Sequence, residues 1–273
     1  MMQFAVIGDP IAHSLSPLLH QEIYRQLDID ASFEKIQVKL DSLASFMTQN
    51  ELDGFNVTVP YKQSVIPFLD ELDESARTIG AVNCVHRGKG HNTDWVGFLK
   101  AMDINDIVLE GMDCIILGAG GAARAVAYAL IQAGVKSISV QNRTREKGNQ
   151  LLNWVNSIFQ NNEPREQFDV IINCTPIGMW PDTESMPEFK ISKGHVLVDM
   201  IYNPLETKWL RLGRDKGTKV LGGLDMFIQQ GLASADIWFG KNISENIELE
   251  PVSYTHLRAH ETLRYLVCRL LLE

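Results

Sequence analysis

Basic clusters and long apolar runs are both absent from this sequence. The formal net charge is −9, and no block of lysine or arginine occurs, which argues against a protein that binds the phosphate backbone of nucleic acids. No apolar run reaches the roughly 20 residues that a membrane-spanning helix needs. The first residues lead into a short strand-like segment, Phe4–Gly8, without the pattern of a signal peptide. We therefore expect no nucleic-acid partner and no membrane association.

Cysteine is scarce, and its pattern excludes a zinc site of ordinary spacing. No C-x-x-C pair occurs, and three of the four cysteines lie in apolar strand-like runs, where cysteine usually acts as a small hydrophobic residue. The four cysteines are Cys84, Cys114, Cys174 and Cys268. His13 and His20 have no third ligand nearby in the sequence. We expect no metal and a reducing, cytoplasmic compartment.

The order of the predicted strands and helices indicates an α/β protein of two domains. From residue 114 onward, strands and helices alternate strictly, which predicts a doubly wound parallel sheet of the Rossmann type. Residues 1–102 predict a separate α/β domain, which a helix at about 226–240 would complete, and residues 103–225 form the Rossmann-type domain. We expect a cleft between the two domains, where ligands would bind.

The segment 251–273 differs in composition from the rest of the chain. It is rich in arginine, leucine and histidine, and its leucines could form one face of an amphipathic helix. It also looks like translated read-through of non-native sequence. We favour the second interpretation and give this segment no functional role.

A glycine-rich loop follows the first strand of the predicted Rossmann-type domain. Cys114–Leu117 reads as a buried strand, and Gly118 would allow the tight turn into a helix. Glycines at the helix start let backbone N–H groups approach a phosphate. A plain strand–helix turn is the alternative. The predicted cofactor-binding residues of this loop are Gly118, Ala119, Gly120, Gly121 and Ala122.

An acidic residue is missing where an NAD-binding protein would carry one. The second strand of the domain ends at Asn142, Arg143 and Thr144, and Lys147 follows one helical turn later. Arginine there can clamp a phosphate, whereas a carboxylate would repel it. Glu146 is a mild counter-signal, and a solvated helix start is the alternative interpretation. We predict that these four residues bind NADP in preference to NAD.

The first hundred residues place polar side chains at strand ends and helix starts. Ser14 and Ser16 lie just before a predicted helix, where hydroxyls and free N–H groups could hold a carboxylate. A simple helix cap would explain Ser16 but not Ser14. Lys62 follows a predicted strand, 55–59, and is a candidate acid/base, although a lone lysine is usually a surface residue. Asp94 could pair with Lys62, or simply begin a helix.

Together these motifs resemble the shikimate dehydrogenase family. The resemblance extends from residue 4 to about 240, and its motifs occur in the family's order. They are Gly8-Asp-Pro-Ile-Ala-His-Ser-Leu-Ser-Pro17, Asn56-Val-Thr-Val-Pro-Tyr-Lys62, Gly80-Ala-Val-Asn83, Asn92-Thr-Asp94, Gly118-Ala-Gly-Gly-Ala122, Asn142-Arg-Thr144, Asn173-Cys-Thr-Pro-Ile-Gly-Met179, Asp199-Met-Ile-Tyr-Asn-Pro204 and Gly222-Gly-Leu-Asp-Met226 with Gln230.

The resemblance implies an activity and a set of roles. It implies reversible, NADPH-dependent reduction of 3-dehydroshikimate to shikimate, with Lys62 as the catalytic acid/base and Asp94 as its partner. The implied substrate-binding residues are Ser14, Ser16, Thr58, Asn83, Asp94, Tyr202 and Gln230. Met200 and Gly223 would contact the nicotinamide end of NADP, and Glu74 matches a further cofactor position.

Several alternatives remain open. Lys62 could act as a base or as a charged donor, since burial lowers the pKa of a lysine and a nearby aspartate raises it. The rival functions are a quinate/shikimate dehydrogenase of relaxed specificity, a methylene-tetrahydrofolate dehydrogenase and an inactive NADP-binding sensor. A metal-dependent hydrolase is the weakest rival. The sequence is compatible with a monomer or a homodimer.

Overall fold

The computed structural model describes residues 1–160, 162–163, 165–240, 242–245 and 247. The chain forms two compact units. Unit 1 holds Met1–Thr93 and the described residues from Gln230 onward, and unit 2 holds Asp94–Gln229. The predicted tail 251–273 and Cys268 lie outside the described residues.

Unit 1 contains a six-stranded mixed sheet with short helices. In chain order its elements are β1 (Met2–Gly8), α1 (Ser16–Gln26), β2 (Ala31–Gln37), α2 (Leu43–Gln49), β3 (Gly54–Val57), β4 (Glu71–Leu72), α3 (Glu74–Ile79), β5 (Cys84–His86) and β6 (Lys89–His91). The strand order is β2-β1-β3-β5-β6-β4. β1 pairs in parallel with β2 and β3, while β3–β5 and β5–β6 are antiparallel.

The sheet of unit 1 packs against apolar side chains and against aromatic rings. Val57, Val65 and Val82 belong to a cluster of buried residues that includes Leu43 of α2. Phe4 stacks on Trp238 with ring centroids 4.7 Å apart. The Trp238 Nε1–H donates to the backbone carbonyl of Val85 at 3.1 Å, so this indole is both packed and hydrogen-bonded.

Unit 2 is a five-stranded, fully parallel sheet. After α4 (Asp94–Ile104) come β7 (Asp113–Leu117), α5 (Gly121–Gln132), β8 (Ser137–Gln141), α6 (Arg145–Ile158), β9 (Val170–Asn173), β10 (Val196–Asp199), α7 (Lys208–Asp215) and β11 (Lys219–Leu221). The strand order is β11-β10-β9-β7-β8. The order reverses between β7 and β9, which is the ligand-binding position in doubly wound sheets. The predicted α/β fold class is confirmed.

The first helix of unit 2 begins before the predicted domain boundary. That boundary, between residues 102 and 103, falls inside α4, whereas the compact units divide between Thr93 and Asp94. Phe98, Ala101 and Met102 on α4 are buried in the cluster that also holds the core of α5. The apolar face of α4 therefore assigns the whole helix to unit 2.

The last α-helix in the described residues, α8 (Leu224–Phe239), spans the junction at Gln229–Gln230. It starts two residues earlier than the predicted start at 226. None of the helices in the described part of the chain is long and apolar enough to cross a membrane.

Candidate active site

Ser14 and Ser16 lie together at the start of α1. The Ser14 hydroxyl donates to Ser16 Oγ at 3.1 Å, and the Ser16 backbone N–H donates to Ser14 Oγ at 3.3 Å. Ser16 is the first residue of α1 and not its cap, because Leu15 holds the cap position and no side chain caps the helix. Ser14 Oγ nevertheless accepts from the first backbone N–H of α1, that of Ser16. The first turn of α1 has no acidic residue, so a carboxylate would be favoured there.

Two predicted site residues follow β3: Thr58 and Lys62 lie just after the strand, and Asn56 is within it. β3 ends at Val57, earlier than the predicted 59, and residues 61–69 form turns with a short 3-10 helix at Ile66–Phe68. The Thr58 N–H donates to the Ile7 carbonyl at 2.9 Å, and the Thr58 carbonyl accepts from the Tyr61 N–H at 2.9 Å. Lys62 is half-buried, and its carbonyl accepts from the Val82 N–H at 2.7 Å.

Asn83 and Gln230 meet inside unit 1, although they are far apart in sequence. Asn83 precedes β5, and Gln230 lies on α8. Asn83 Nδ2 donates to Gln230 Oε1 at 3.2 Å and to Thr93 Oγ1 at 2.9 Å. The Thr93 N–H in turn donates to Asn83 Oδ1 at 2.6 Å. The structure thus brings two of the predicted substrate-binding residues into direct contact, and Thr93 is bonded to one of them, Asn83.

A buried histidine lies behind this cluster. The His20 ring stacks on Phe33 with centroids 4.2 Å apart and an interplanar angle of 6°. Burial lowers the pKa of His20 to about 3, and an interaction with the Asn56 side chain opposes this only partly. His20 is therefore neutral near neutral pH and unsuited to act as a general acid. It contributes packing and belongs to no group of metal ligands, since the described residues contain no such group.

Asp94 and Glu74 both begin helices. Asp94 is the first residue of α4 and is buried. Glu74 is the first residue of α3, where Asp73 caps the helix by accepting from the Ala76 N–H at 2.6 Å. Glu74 itself is exposed. The predicted partnership of Lys62 with Asp94, and the predicted contact of Glu74 with the cofactor, stay predictions.

The glycine loop of unit 2 has the geometry of an anion-binding helix start. Gly118 has a φ of +110°, and a β-carbon there would lie 3.0 Å from the carbonyl carbon and oxygen of Cys174. Only glycine fits this turn without strain. Gly120 caps α5, and a β-carbon on it would meet nothing within 4 Å. The first turn of α5 has no acidic residue. Its N–H groups are therefore available for a phosphate.

The end of β8 carries positive charge. Arg143, Arg145 and Lys147 are exposed around the start of α6. Among the residues that the structure describes, no carboxylate forms an ion pair with them. Asn142 Nδ2 donates to the Thr144 carbonyl at 2.8 Å and so holds the turn between strand and helix. This arrangement suits a phosphate group better than a ribose hydroxyl.

A buried carboxylate that sequence reasoning missed organises two loops of unit 2. Asp199, at the end of β10, accepts from Thr207 Oγ1 at 2.8 Å, Asn173 Nδ2 at 3.1 Å and the Ile201 N–H at 3.1 Å. Burial raises the pKa of Asp199 to about 6, while these three bonds oppose the rise. A polar residue at the end of a buried strand was the available signal. Through the Ile201 N–H, Asp199 holds the backbone on the far side of Met200.

Met200, Tyr202 and Gly223 lie along the same edge of unit 2. Gly223 contacts the backbone of Met200 so closely that a β-carbon would overlap the Met200 carbonyl. The Gly223 N–H donates to the Ile201 carbonyl at 3.0 Å. The ring centroids of Tyr202 and of Phe227, which lies on α8, are 4.7 Å apart. The predicted roles of these residues toward cofactor and substrate remain predictions.

These features define a class of protein: a two-unit α/β protein whose second unit is a Rossmann-type dinucleotide-binding fold. Two family models match the chain. The model described as shikimate dehydrogenase substrate binding domain matches residues 6–85. The model described as shikimate / quinate 5-dehydrogenase matches residues 100–199.

Individual proteins and solved structures are also similar to this chain. A shikimate dehydrogenase (NADP(+)) of Bacillus cereus strain AH187 is 39% identical over 263 residues, which cover 90% of this chain and 94% of that protein. The crystal structure of shikimate 5-dehydrogenase from Thermus thermophilus in complex with NADP(H) and shikimate is 32% identical, with a TM-score of 0.83, and the match covers 96% of this chain and 100% of that one. The ligand-free 5-ketofructose reductase of Gluconobacter sp. strain CHM43 is 33% identical with a TM-score of 0.80, over 88% of this chain and 93% of that one. The chain belongs to the shikimate dehydrogenase family.

Proposed function

We propose that this protein is an NADP-dependent shikimate dehydrogenase, which catalyses the reversible reduction of 3-dehydroshikimate to shikimate in the shikimate pathway of aromatic amino acid biosynthesis. The observation that carries this proposal is the extent of the family match, which covers 94% of an NADP(+)-dependent shikimate dehydrogenase. The chain keeps the serine pair, the lysine and the aspartate that the resemblance assigns to the reaction.

The residues of unit 2 suit NADP. The acid-free start of α5 and the open space at Gly120 would receive the pyrophosphate. Arg143 and Lys147 would hold the 2′-phosphate, and their lack of carboxylate partners in the described residues supports this role. Met200 and Gly223 would adjoin the nicotinamide. NADP, when bound, supplies the acceptor for hydride from the substrate carbinol carbon.

The residues of unit 1 suit a hydroxy-acid substrate. Ser14 and Ser16 would donate to the shikimate carboxylate, with the start of α1 contributing N–H groups. Thr58, Asn83 and Gln230 would hold ring hydroxyls, together with Asp94, and Tyr202 would lie near the carboxylate. The likeness of the fold to a 5-ketofructose reductase means that the fold alone does not select the substrate. The serine pair favours a substrate with a carboxylate.

Lys62 would move the proton. Hydride leaves the carbinol carbon only as the hydroxyl proton is taken up, so a base must lie within hydrogen-bond reach of that oxygen. Lys62 would take this proton in the oxidation of shikimate and return it to the ketone oxygen in the reverse direction. Asp94 would orient the ammonium group and stabilise its charge.

The test of this role is Lys62→Ala. We expect kcat to fall by about 10²–10⁴-fold, the usual contribution of general acid–base catalysis, while the Kd for shikimate stays nearly unchanged. Thr58→Ala is the matched comparison. Loss of the Thr58 hydroxyl should raise the KM for shikimate more than it lowers kcat, because this hydroxyl would bind substrate and move no proton. Unchanged turnover in Lys62→Ala would overturn the assignment.

Quinate is the alternative substrate that the family description names. The absence of an acidic residue at the end of β8 favours NADP, and the likeness to shikimate dehydrogenases favours shikimate. The serine pair would hold the carboxylate of either substrate. Two further points are proposals. The enzyme would work in a reducing, cytoplasmic compartment, in keeping with the free Cys84, Cys114 and Cys174. It would act as a monomer or a homodimer.

A further inference from the structure

A chain of buried hydrogen bonds connects Asn83 to Gln230, and its direction is fixed at one end by Thr93. The Thr93 backbone N–H can only donate, and it donates to Asn83 Oδ1 at 2.6 Å. The other end of the Asn83 amide must therefore be Nδ2, which can only donate. It donates to Thr93 Oγ1 at 2.9 Å and to Gln230 Oε1 at 3.2 Å.

Ser234 on α8 fixes the direction at the other end. Its hydroxyl donates to the backbone carbonyl of Gln230 at 3.0 Å, and a carbonyl can only accept. The only proton of Ser234 Oγ is used there, so Thr93 must be the donor in the 3.1 Å contact between the two hydroxyls. Asn56 Nδ2 also donates to Ser234 Oγ, at 3.0 Å, and to the Asn83 carbonyl at 3.1 Å. Each step thus has a single possible direction.

Burial makes this direction costly to reverse. Four residues of the chain of hydrogen bonds are at most 5% exposed: Asn56, Asn83, Thr93 and Ser234. Because water does not reach them, a polar group that loses its partner there stays unpaired. A glutamine amide in solvent can present either its oxygen or its nitrogen. Here the chain holds the oxygen of Gln230 against Asn83, which turns Nε2 to the opposite side.

We propose that Thr93 and Ser234 are positioning residues that fix Gln230 as a hydrogen-bond donor to a ring hydroxyl oxygen of shikimate. This inference rests on the proposed function, in which Asn83 and Gln230 bind substrate. A site built from polar groups of fixed direction rejects analogues that lack the matching hydroxyl, because its own groups are then left unpaired. Thr93 and Ser234 would therefore contribute to substrate selection through Gln230.

The experiment compares Thr93→Val with Thr93→Ser. Valine has nearly the shape of threonine and keeps the backbone N–H, but it lacks the hydroxyl that accepts from Asn83 Nδ2 and contacts Ser234 Oγ. The Asn83 amide, which donates to Gln230, is then held on one side only. Serine keeps the hydroxyl. We expect Thr93→Val to raise the KM for shikimate about tenfold, which corresponds to about 1.4 kcal/mol, with the KM for NADP changed less than about twofold. Thr93→Ser should restore most of the affinity for shikimate. Ser234→Ala should act in the same direction as Thr93→Val.

An assay of the wild-type protein distinguishes a failure of the proposed function from a failure of the positioning role of Thr93 and Ser234. A wild-type enzyme that does not oxidise shikimate with NADP would contradict the proposed function itself. If the wild type is active, an unchanged KM for shikimate in Thr93→Val would overturn the inference. An equal rise of the KM in Thr93→Ser, or of the KM for NADP, would also overturn it. Thermal unfolding of each variant identifies any that do not fold. If Thr93→Val does not fold, the KM values of Ser234→Ala for shikimate and for NADP decide instead.

Discussion

Gly223 contacts the backbone of Met200 so closely that no side chain fits between them, although the two residues are 23 positions apart (223 − 200). A β-carbon at residue 223 would overlap the carbonyl oxygen and carbon of Met200. The loop after β10 and the start of α8 are thereby held at one distance. The glycine is required by this approach of two backbone segments, whatever the cofactor does there.

Gly223→Ala is therefore expected to destabilise the protein. The overlap involves backbone atoms, which cannot move aside as a flexible side chain would, so we expect a loss of about 1–3 kcal/mol in the free energy of unfolding. Urea unfolding without cofactor measures this loss directly. An unchanged midpoint would mean that the two loops separate freely.

Gly120→Ala is the matched comparison at the other glycine motif. A β-carbon there meets no protein atom within 4 Å, and the φ of −92° suits alanine. The free energy of unfolding should stay within about 0.5 kcal/mol of the wild-type value. The Kd for NADP should nevertheless rise about tenfold or more, because the methyl group would occupy the space that the pyrophosphate needs. Unchanged NADP affinity would place the cofactor elsewhere.

Arg143→Ala should weaken the preference for NADP. If Arg143 holds the 2′-phosphate, its loss removes a charge-assisted hydrogen bond worth about 1.5–3 kcal/mol. We expect kcat/KM for NADP to fall by at least about tenfold, with little change for NAD. Arg145→Ala removes the same charge one helical position beyond Thr144 and serves as the control. Equal effects of both variants would indicate general attraction by positive charge.

His20 should make the protein less stable in mild acid. Its pKa is lowered to about 3 in the folded protein by burial, against about 6.5 in an unfolded chain. Between these values the unfolded state binds one more proton than the folded state, so the free energy of unfolding falls as the pH falls. The contribution is lost progressively below about pH 6.5, by about 1 kcal/mol between pH 6.5 and 5.5.

His20→Gln tests this dependence, because glutamine does not titrate. The wild-type protein should lose about 1 kcal/mol more than the variant between pH 6.5 and 5.5, as measured by urea unfolding at both values. Asp199 works in the opposite sense, since its raised pKa of about 6 makes the folded state gain stability as the pH falls from about 6 to about 3.8. Identical slopes in wild type and variant would show that His20 is not the cause.

Much of unit 2 could be predicted from the sequence, because its strands are apolar runs between glycines and polar turns. The predicted strand Cys114–Leu117 coincides with β7 to within one residue. Unit 1 was harder to predict. The polar residues Asn56, Thr58 and Lys62 alternate at a strand end, and the pattern overestimated the length of β3.

The hydrogen-bond partners at the candidate site could not be predicted in the same way. Asn83 lies 147 residues from Gln230 and Asn56 lies 178 residues from Ser234. No local pattern connects residues so far apart, and only the fold brings α8 to the end of β3. Asp199 was missed as a structural carboxylate for a similar reason, since its partners Asn173 and Thr207 belong to different segments, at the end of β9 and just before α7.

The most direct test of the central claim is a steady-state assay of the wild-type protein with shikimate and with quinate, each with NADP and with NAD. We predict that the highest kcat/KM belongs to shikimate with NADP, because the chain is 39% identical to an NADP(+)-dependent shikimate dehydrogenase and the end of β8 suits a phosphate. A higher kcat/KM for quinate, or for NAD, would contradict this account.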